Sequence, residues 1–137
     1  DGGATVIHML RALLSHAGHY ADDIPMPTTA KAWRAALDEI RNEFGYQTSS
    51  GDKVQSPRDN ESSFTDMVTA LRMQYDELEY ACDFSFFDRV VAGLRYENHD
   101  EELRTAKWIR ELDRRLCATG TVAPEQFHFI GRKKICL

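Results

Sequence analysis

Phe86-Phe87-Asp88-Arg89-Val90-Val91-Ala92-Gly93-Leu94-Arg95-Tyr96-Glu97-Asn98-His99-Asp100-Glu101-Glu102-Leu103-Arg104-Thr105-Ala106, continued through Leu116, reads as a helical hairpin. Phe86, Phe87, Val90, Val91 and Leu94 recur at the spacing of one helix face. Glu97-Asn98-His99-Asp100 breaks that run as a turn. Leu103, Ala106, Ile109, Leu112 and Leu116 then restart the period, and Gly120 stops it. Asp100, Glu101 and Glu102 fall at the second helix start, where the backbone dipole favours negative charge. Asp83 or Ser85 is placed to cap the first helix.

The same period extends toward the N-terminus. Phe64, Met67, Val68, Leu71, Tyr75 and Leu78 mark a helix opened by a variant capping box at Ser63 and Asp66, and predicted to run to about Tyr80 or Cys82. Trp33, Ala36, Leu37, Ile40 and Phe44 form the stripe of an amphipathic helix starting near Lys31, capped by Thr28 or Thr29 and ended by Gly45. Ile24-Pro25-Met26-Pro27 separates it from a first helix carrying Val6, Ile7, Met9, Leu10, Leu13, Leu14 and Ala17, with Gly18 at its end. That first helix is apolar almost all round, so it is expected to be covered on several sides.

Two segments break the pattern. Residues 46–62 contain little that could be buried except Tyr46 and Val54, and read as a flexible polar insertion. Within it, Ser56-Pro57 is a candidate phosphorylation site, and Asn60-Glu61-Ser62 matches a glycosylation acceptor that a reducing compartment would leave unused. Residues 121–137 carry β-type runs at Thr121-Val122 and Phe127-His128-Phe129-Ile130, which suit either a short hairpin or an extended tail.

The Asp100-Glu101-Glu102-Leu103-Arg104-Thr105-Ala106 start of the last helix resembles armadillo and HEAT repeats, in which Leu and Ala pack on the preceding helix and Arg stays polar. Met9-Leu10-Arg11-Ala12-Leu13-Leu14 and Phe64-Thr65-Asp66-Met67-Val68-Thr69-Ala70-Leu71-Arg72 are similar to helices of the armadillo-like FH3 region of diaphanous-related formins. Glu79-Tyr80-Ala81-Cys82, Leu103-Arg104 and Glu111-Leu112 follow in that family's order. The departure is Phe86-Phe87-Asp88-Arg89-Val90-Val91, where the family has an apolar-Asn-Ala-Leu run. The resemblance implies a GTPase-binding or autoinhibitory scaffold acting on actin and the cytoskeleton, with a Rho-type GTPase or a segment of the same chain as partner. It carries over no partner-binding residue.

Composition narrows the function. The 137 residues hold 22 acidic and 17 basic side chains, a net charge of −5, which disfavours a broad phosphate-binding face. No apolar run is long enough to span a membrane, and no leader is visible. Cys82, Cys117 and Cys136 are odd in number and widely spaced, so a cytoplasmic, reduced chain is expected, with Cys82 and Cys117 buried.

His16 and His19, with Asp22, Asp23 and His8 nearby, have residue types that bind zinc, although Gly18 breaks the helix between the two histidines. They fit a helix C-terminus better, where a protonated ring suits the dipole. His99-Asp100 resembles the dipeptide of the helical HD phosphohydrolases, but it lies in an acidic turn and suits a helix start. Asp76, Glu77 and Glu79 read as a solvated helix face before they read as an acid–base pair. Arg132-Lys133-Lys134 would tip a winged-helix wing, yet Arg104, Lys107, Arg110, Arg114 and Arg115 alternate with Glu101, Glu102, Glu111 and Asp113 as an ion-paired helix face does. Nucleophile elbows and phosphate-binding glycine loops are missing from the sequence.

The expected fold is therefore all-α: stacked helical hairpins, armadillo-like or an irregular bundle, forming one domain over 1–137. The expected function is a non-catalytic protein-interaction module and regulatory scaffold within a larger intracellular protein. No catalytic, cofactor-binding or metal residue is assigned. Phe84, Phe86 and Phe87 cannot all face one side of a helix, so at least one is expected to be exposed or to contact a neighbour. The rival readings are a winged-helix nucleic-acid binder and a His/Asp metal-dependent helical hydrolase.

Overall fold

The computed structural model describes residues 2–44 and 64–135. Its elements run α1 (Gly2–His16), α2 (Ala30–Phe44), α3 (Phe64–Gln74), β1 (Tyr75–Asp83), α4 (Phe87–Val91), α5 (His99–Ala118) and β2 (Gln126–Lys133). The segment 46–62 with Ser56 and Asn60, the caps Gly45 and Ser63, and Cys136 lie outside the described residues.

α1, α2, α4 and α5 form the body of the molecule. Ala4, Ile7 and Leu10 of α1 meet Ile40 of α2, Phe86 and Val90 around α4, Leu94, Ile109 of α5 and Val122 in one buried cluster. Gly18 adopts φ +78° just after α1, and Gly120 adopts φ +71° after α5, the left-handed turn that glycine accepts without a Cβ penalty. Thr29 Oγ1 accepts the Ala32 N–H at 3.1 Å and so caps α2. The α1–α2 linker is tied to the end of α4, with the Ala21 N–H donating to Gly93 O at 2.8 Å and the Arg95 N–H to His19 O at 2.9 Å. Contrary to the expectation for α1, Met9 and Leu13 face solvent.

The fold is mixed α/β, which corrects the all-α stack of hairpins expected from the sequence. The third helix stops at Gln74, and the chain continues directly into β1. β1 pairs antiparallel with β2, Tyr80 opposite Phe129 and Cys82 opposite Phe127, with an irregularity between Glu77 and Glu79. The physical reason is a competition between two periods. Leu71, Tyr75 and Leu78 continue a helical stripe, but Tyr80 and Cys82 alternate as a strand does, and Phe127 and Phe129 supply aromatic cross-strand partners. The Tyr80 and Phe127 rings lie 6.1 Å apart. β2 thus belongs to a ribbon with β1, and the hairpin with Thr121-Val122 does not form. The ribbon packs on α3, whose Val68 is buried outside the main core cluster.

Candidate functional site

A fully buried carboxylate organises the start of α4. Phe84 takes φ +59°, and the three N–H groups that follow converge on Asp113 of α5. Asp113 Oδ1 and Oδ2 accept the Ser85 N–H at 2.8 and 3.0 Å, and Oδ2 accepts those of Phe86 at 2.8 Å and Phe87 at 2.6 Å. Cys117 Sγ donates to Oδ1 at 3.4 Å. The sequence reading placed Asp113 on an exposed face and gave the cap to Asp83 or Ser85. In the structure the cap comes from another helix, because the α4 N-terminus is buried and its donors need a partner away from water. Burial, and then the neighbouring Asp113, pushes the Cys117 thiol up to about 11. Cys117 is thus a weak nucleophile at neutral pH, and Asp113 has its acceptor positions filled by the backbone. Cys82 and Cys117 are half-buried rather than buried.

A cavity of about 510 Å³ opens between α1, α2 and the Asp22–Pro27 segment. His8 and Arg11, one turn apart on α1, form part of its wall together with Glu39 and Glu43 of α2. Arg11 Nη1 donates to Glu43 Oε1 at 2.9 Å and Oε2 at 3.0 Å, and Nη2 donates to Arg89 O at 3.0 Å. Two buried nitrogens, His8 Nε2 and Arg11 Nε, lack a hydrogen-bond partner. The His8 ring meets Trp33 edge-on at 5.3 Å. Burial, and secondarily Arg11, lowers its pKa against a smaller opposing pull from Glu39.

The third place is the ribbon. On β1, Glu77 pairs with Arg72 at 2.6 Å and Glu79 with His128 Nε2 at 2.8 Å. The guanidinium of Arg72 lies 4.9 Å above the Tyr80 ring. Lys134 Nζ donates to Arg72 O at 2.8 Å. Among the described residues Arg132 and Lys133 have no ion-pair partner, and no third strand joins the sheet. Leu78 at the irregularity of β1 and Ile130 of β2 are both more than half exposed.

Of the candidates read from sequence, His8, Asp22 and Asp23 come together around the cavity. His16 ends α1 and lines a neighbouring pocket together with Asp23, and His19 stacks on Tyr96 at 4.0 Å. No group of three or more His, Cys, Asp or Glu side chains able to hold a metal occurs among the described residues. His99 and Asp100 form the exposed first turn of α5, whose cap is Asn98, accepting from Asp100 N at 2.9 Å. Asp76, Glu77 and Glu79 lie on a strand, not a helix. Phe86 is fully buried, while Phe84 and Phe87 are half-buried with rings 5.6 Å apart. Trp108 and Leu103 are exposed on α5. No helix among the described residues is long and apolar enough to cross a membrane. Comparison with protein-family models, curated proteins and solved structures yields no match to this chain.

Proposed function

We propose that this chain is a non-catalytic protein-interaction module that binds an extended acidic and apolar segment of another protein by strand addition to β2. The supporting observation is the open outer edge of β2. Two-stranded ribbons are marginal on their own and leave N–H and C=O groups unpaired along each edge. The β1 edge carries four acidic residues, Asp76, Glu77, Glu79 and Asp83, and is interrupted at Leu78, both of which discourage pairing. β2 keeps a regular register from Gln126 to Ile130, presents Ile130, and ends in the unpaired cations Arg132 and Lys133. An incoming strand gains main-chain hydrogen bonds there, and acidic side chains near its end complement the cations. This reading rests on the ribbon and not on the resemblance to formins.

The test is amide hydrogen exchange on the full chain with ten-residue peptides that alternate Val or Ile with either Glu or Lys. The Glu peptides should protect amides of Gln126–Lys133, and Arg132→Glu should weaken them several-fold. Equal binding of the Lys peptides, or no protection of β2 by any peptide, would overturn the proposal. Protection that rises with protein concentration alone would replace the foreign segment with a second copy. Protection by a Rho-type GTPase away from β2 would return the function to the formin-like reading.

A further inference from the structure

We infer that the cavity between the start of α1 and the 121–125 connection binds a small free α-amino acid, its carboxylate at the α1 N-terminus and its ammonium toward Glu125. The inference is independent of the ribbon. The cavity holds about 370 Å³, within the size range of small-molecule sites. Gly2, Gly3 and Ala4 of α1, Arg41 of α2, Ser85 ahead of α4 and the connection from α5 to β2 line it.

The carboxylate half begins with the helix start. First-turn N–H groups of an α-helix have no partner inside it and carry partial positive charge. Gly2, Gly3 and Ala4 supply such groups, and the first turn of α1 holds no acidic residue. Among the described residues no acceptor meets those three N–H groups. A Cβ on Gly3 would stand 3.2 Å from Ser85 Oγ, and one on Gly2 would stand 2.8 Å from the Thr121 carbonyl oxygen. The two glycines thus keep the backbone bare where a ligand approaches it.

A helix start alone would be met by water. What marks this one is Ser85, which is only 6% exposed, lines the cavity and has its N–H committed to Asp113. Its hydroxyl does not cap α4 and makes no hydrogen bond among the described residues. Nor is it sealed in, since the unpartnered side-chain atoms without access to solvent are His8 Nε2 and Arg11 Nε. A hydroxyl in a buried residue that faces a cavity and is bonded to nothing costs free energy, which an oxyanion accepting its O–H recovers.

Glu125 sets the other end of the ligand. Its N–H donates to Phe84 O at 2.8 Å, which holds it beside Ser85, and it lines the same cavity. That carboxylate would repel a plain anion. Burial holds its pKa above the usual carboxylate value against the pull of Arg89, with Asp88 and Asp113 adding to the rise. An incoming ammonium therefore stabilises its charged form. Arg41, which also pairs with Asp38 at 2.8 Å, adds positive charge for the ligand carboxylate. Ala4, Val122 and Ala123 leave apolar wall for a short side chain. A zwitterion meets both charges within one small molecule, whereas a simple carboxylate or amine meets one.

The experiment is an NMR titration of the full chain with L-alanine, acetate and ethylamine, which reads both affinity and location. L-Alanine should shift the amides of Gly3, Ala4, Ser85 and Glu125 saturably, at least tenfold more tightly than acetate or ethylamine. Ser85→Ala should lose at least fivefold in alanine affinity with an unchanged thermal midpoint, because the hydroxyl it removes has no partner in the fold. Glu125→Gln should bring alanine down to the affinity of acetate, without weakening acetate itself. Absence of saturable shifts at these amides, acetate or ethylamine binding as tightly as alanine, or full affinity in Ser85→Ala would overturn the site.

Discussion

Asp113 accepts the backbone N–H of Phe87 at 2.6 Å, and with it a residue of α5 supplies the cap that α4 lacks among its own side chains. The same carboxylate holds the N–H groups of Ser85 and Phe86. Asp113 is completely buried, so those donors have no access to replacement water without local rearrangement. Asp113→Ala should therefore destabilise the fold by on the order of 4 kcal/mol, the combined effect of a lost charged acceptor and several orphaned donors. Asp113→Asn keeps one acceptor oxygen and should fall between the two. Urea unfolding measures both, with Glu111→Ala as the surface control expected to leave the midpoint in place. A loss below about 1 kcal/mol in Asp113→Ala would contradict this role for the carboxylate.

Phe84 carries the turn that brings those donors together, at φ +59° with a half-buried ring against Phe87. Side chains with a Cβ resist that backbone region by about 1–2 kcal/mol, and glycine does not. Phe84→Ala and Phe84→Gly both remove the ring contact, so their difference isolates the backbone. Phe84→Gly should be the more stable of the two by about 1 kcal/mol, the reverse of the order found in a helix interior. Equal midpoints in thermal melts would show that the turn relaxes.

The body was legible in the sequence because its helices carry local signals. Ile7, Leu10, Ile40, Val90 and Ile109 are buried on the faces their spacing assigned, and Gly18 and Gly120 end their helices where expected. Asp113 reads as part of an exposed ion-paired face, although its position holds a contrary signal. It lies four residues after Ile109 and three before Leu116, on the apolar stripe and not opposite it. An acid on a buried stripe requires donors, and the sequence does not say from where. The ribbon was less accessible still. Tyr75, Leu78 and Tyr80 satisfy parts of both periods, and the partner that decides between them is β2, remote in sequence. The cavity residues His8, Asp22 and Asp23 stand out in the sequence by their chemistry, but Glu39 and Glu43 join them only through the packing of α2 on α1.

Cys117 should be a slow thiol. With its pKa at about 11, only about one molecule in a thousand carries the thiolate at pH 8. In a Cys82→Ser, Cys136→Ser background, the native rate of iodoacetamide labelling should climb about tenfold per pH unit from pH 7 to pH 10. Unfolding in urea should remove the protection at constant pH. A native rate equal to the unfolded rate at pH 8 would place the thiol outside the influence of burial and Asp113.

His8 makes stability depend on mildly acidic pH. Its pKa is lowered by burial and by Arg11, with Glu39 pulling the other way, whereas in the unfolded chain it titrates near about 6.5. Between those two values the unfolded chain binds more protons than the folded one. The contribution is fully present above pH 6.5 and is lost as pH falls toward the folded value. Unfolding free energies measured from pH 7.5 down to pH 5 should fall more steeply for the wild type than for His8→Gln. Parallel slopes would remove His8 as the cause.

Gly131 controls whether the ribbon can close. It sits opposite Glu77 beside the strand irregularity. A Cβ there would lie 2.6 Å from the Phe129 ring and 2.7 Å from Tyr75 Cβ, closer than real methyl contacts. The ring could turn aside, but Tyr75 Cβ is fixed by the backbone, so the strands must separate locally. Gly131→Ala should therefore cost about 1–3 kcal/mol, felt first in the ribbon and in α3 packed against it. Ile130→Ala, at a side chain 52% exposed, should cost much less. Amide exchange read by mass spectrometry separates local from global loss. Faster exchange confined to Tyr75–Asp83 and Gln126–Lys133, with α1 and α5 unchanged, would mark the ribbon as its own cooperative unit. The same variant should then lose the peptide protection proposed for β2, since a strand cannot be extended by a partner once its own pairing has opened. Uniform acceleration across α1, α5 and the ribbon would mean that the arm and the helical body unfold together.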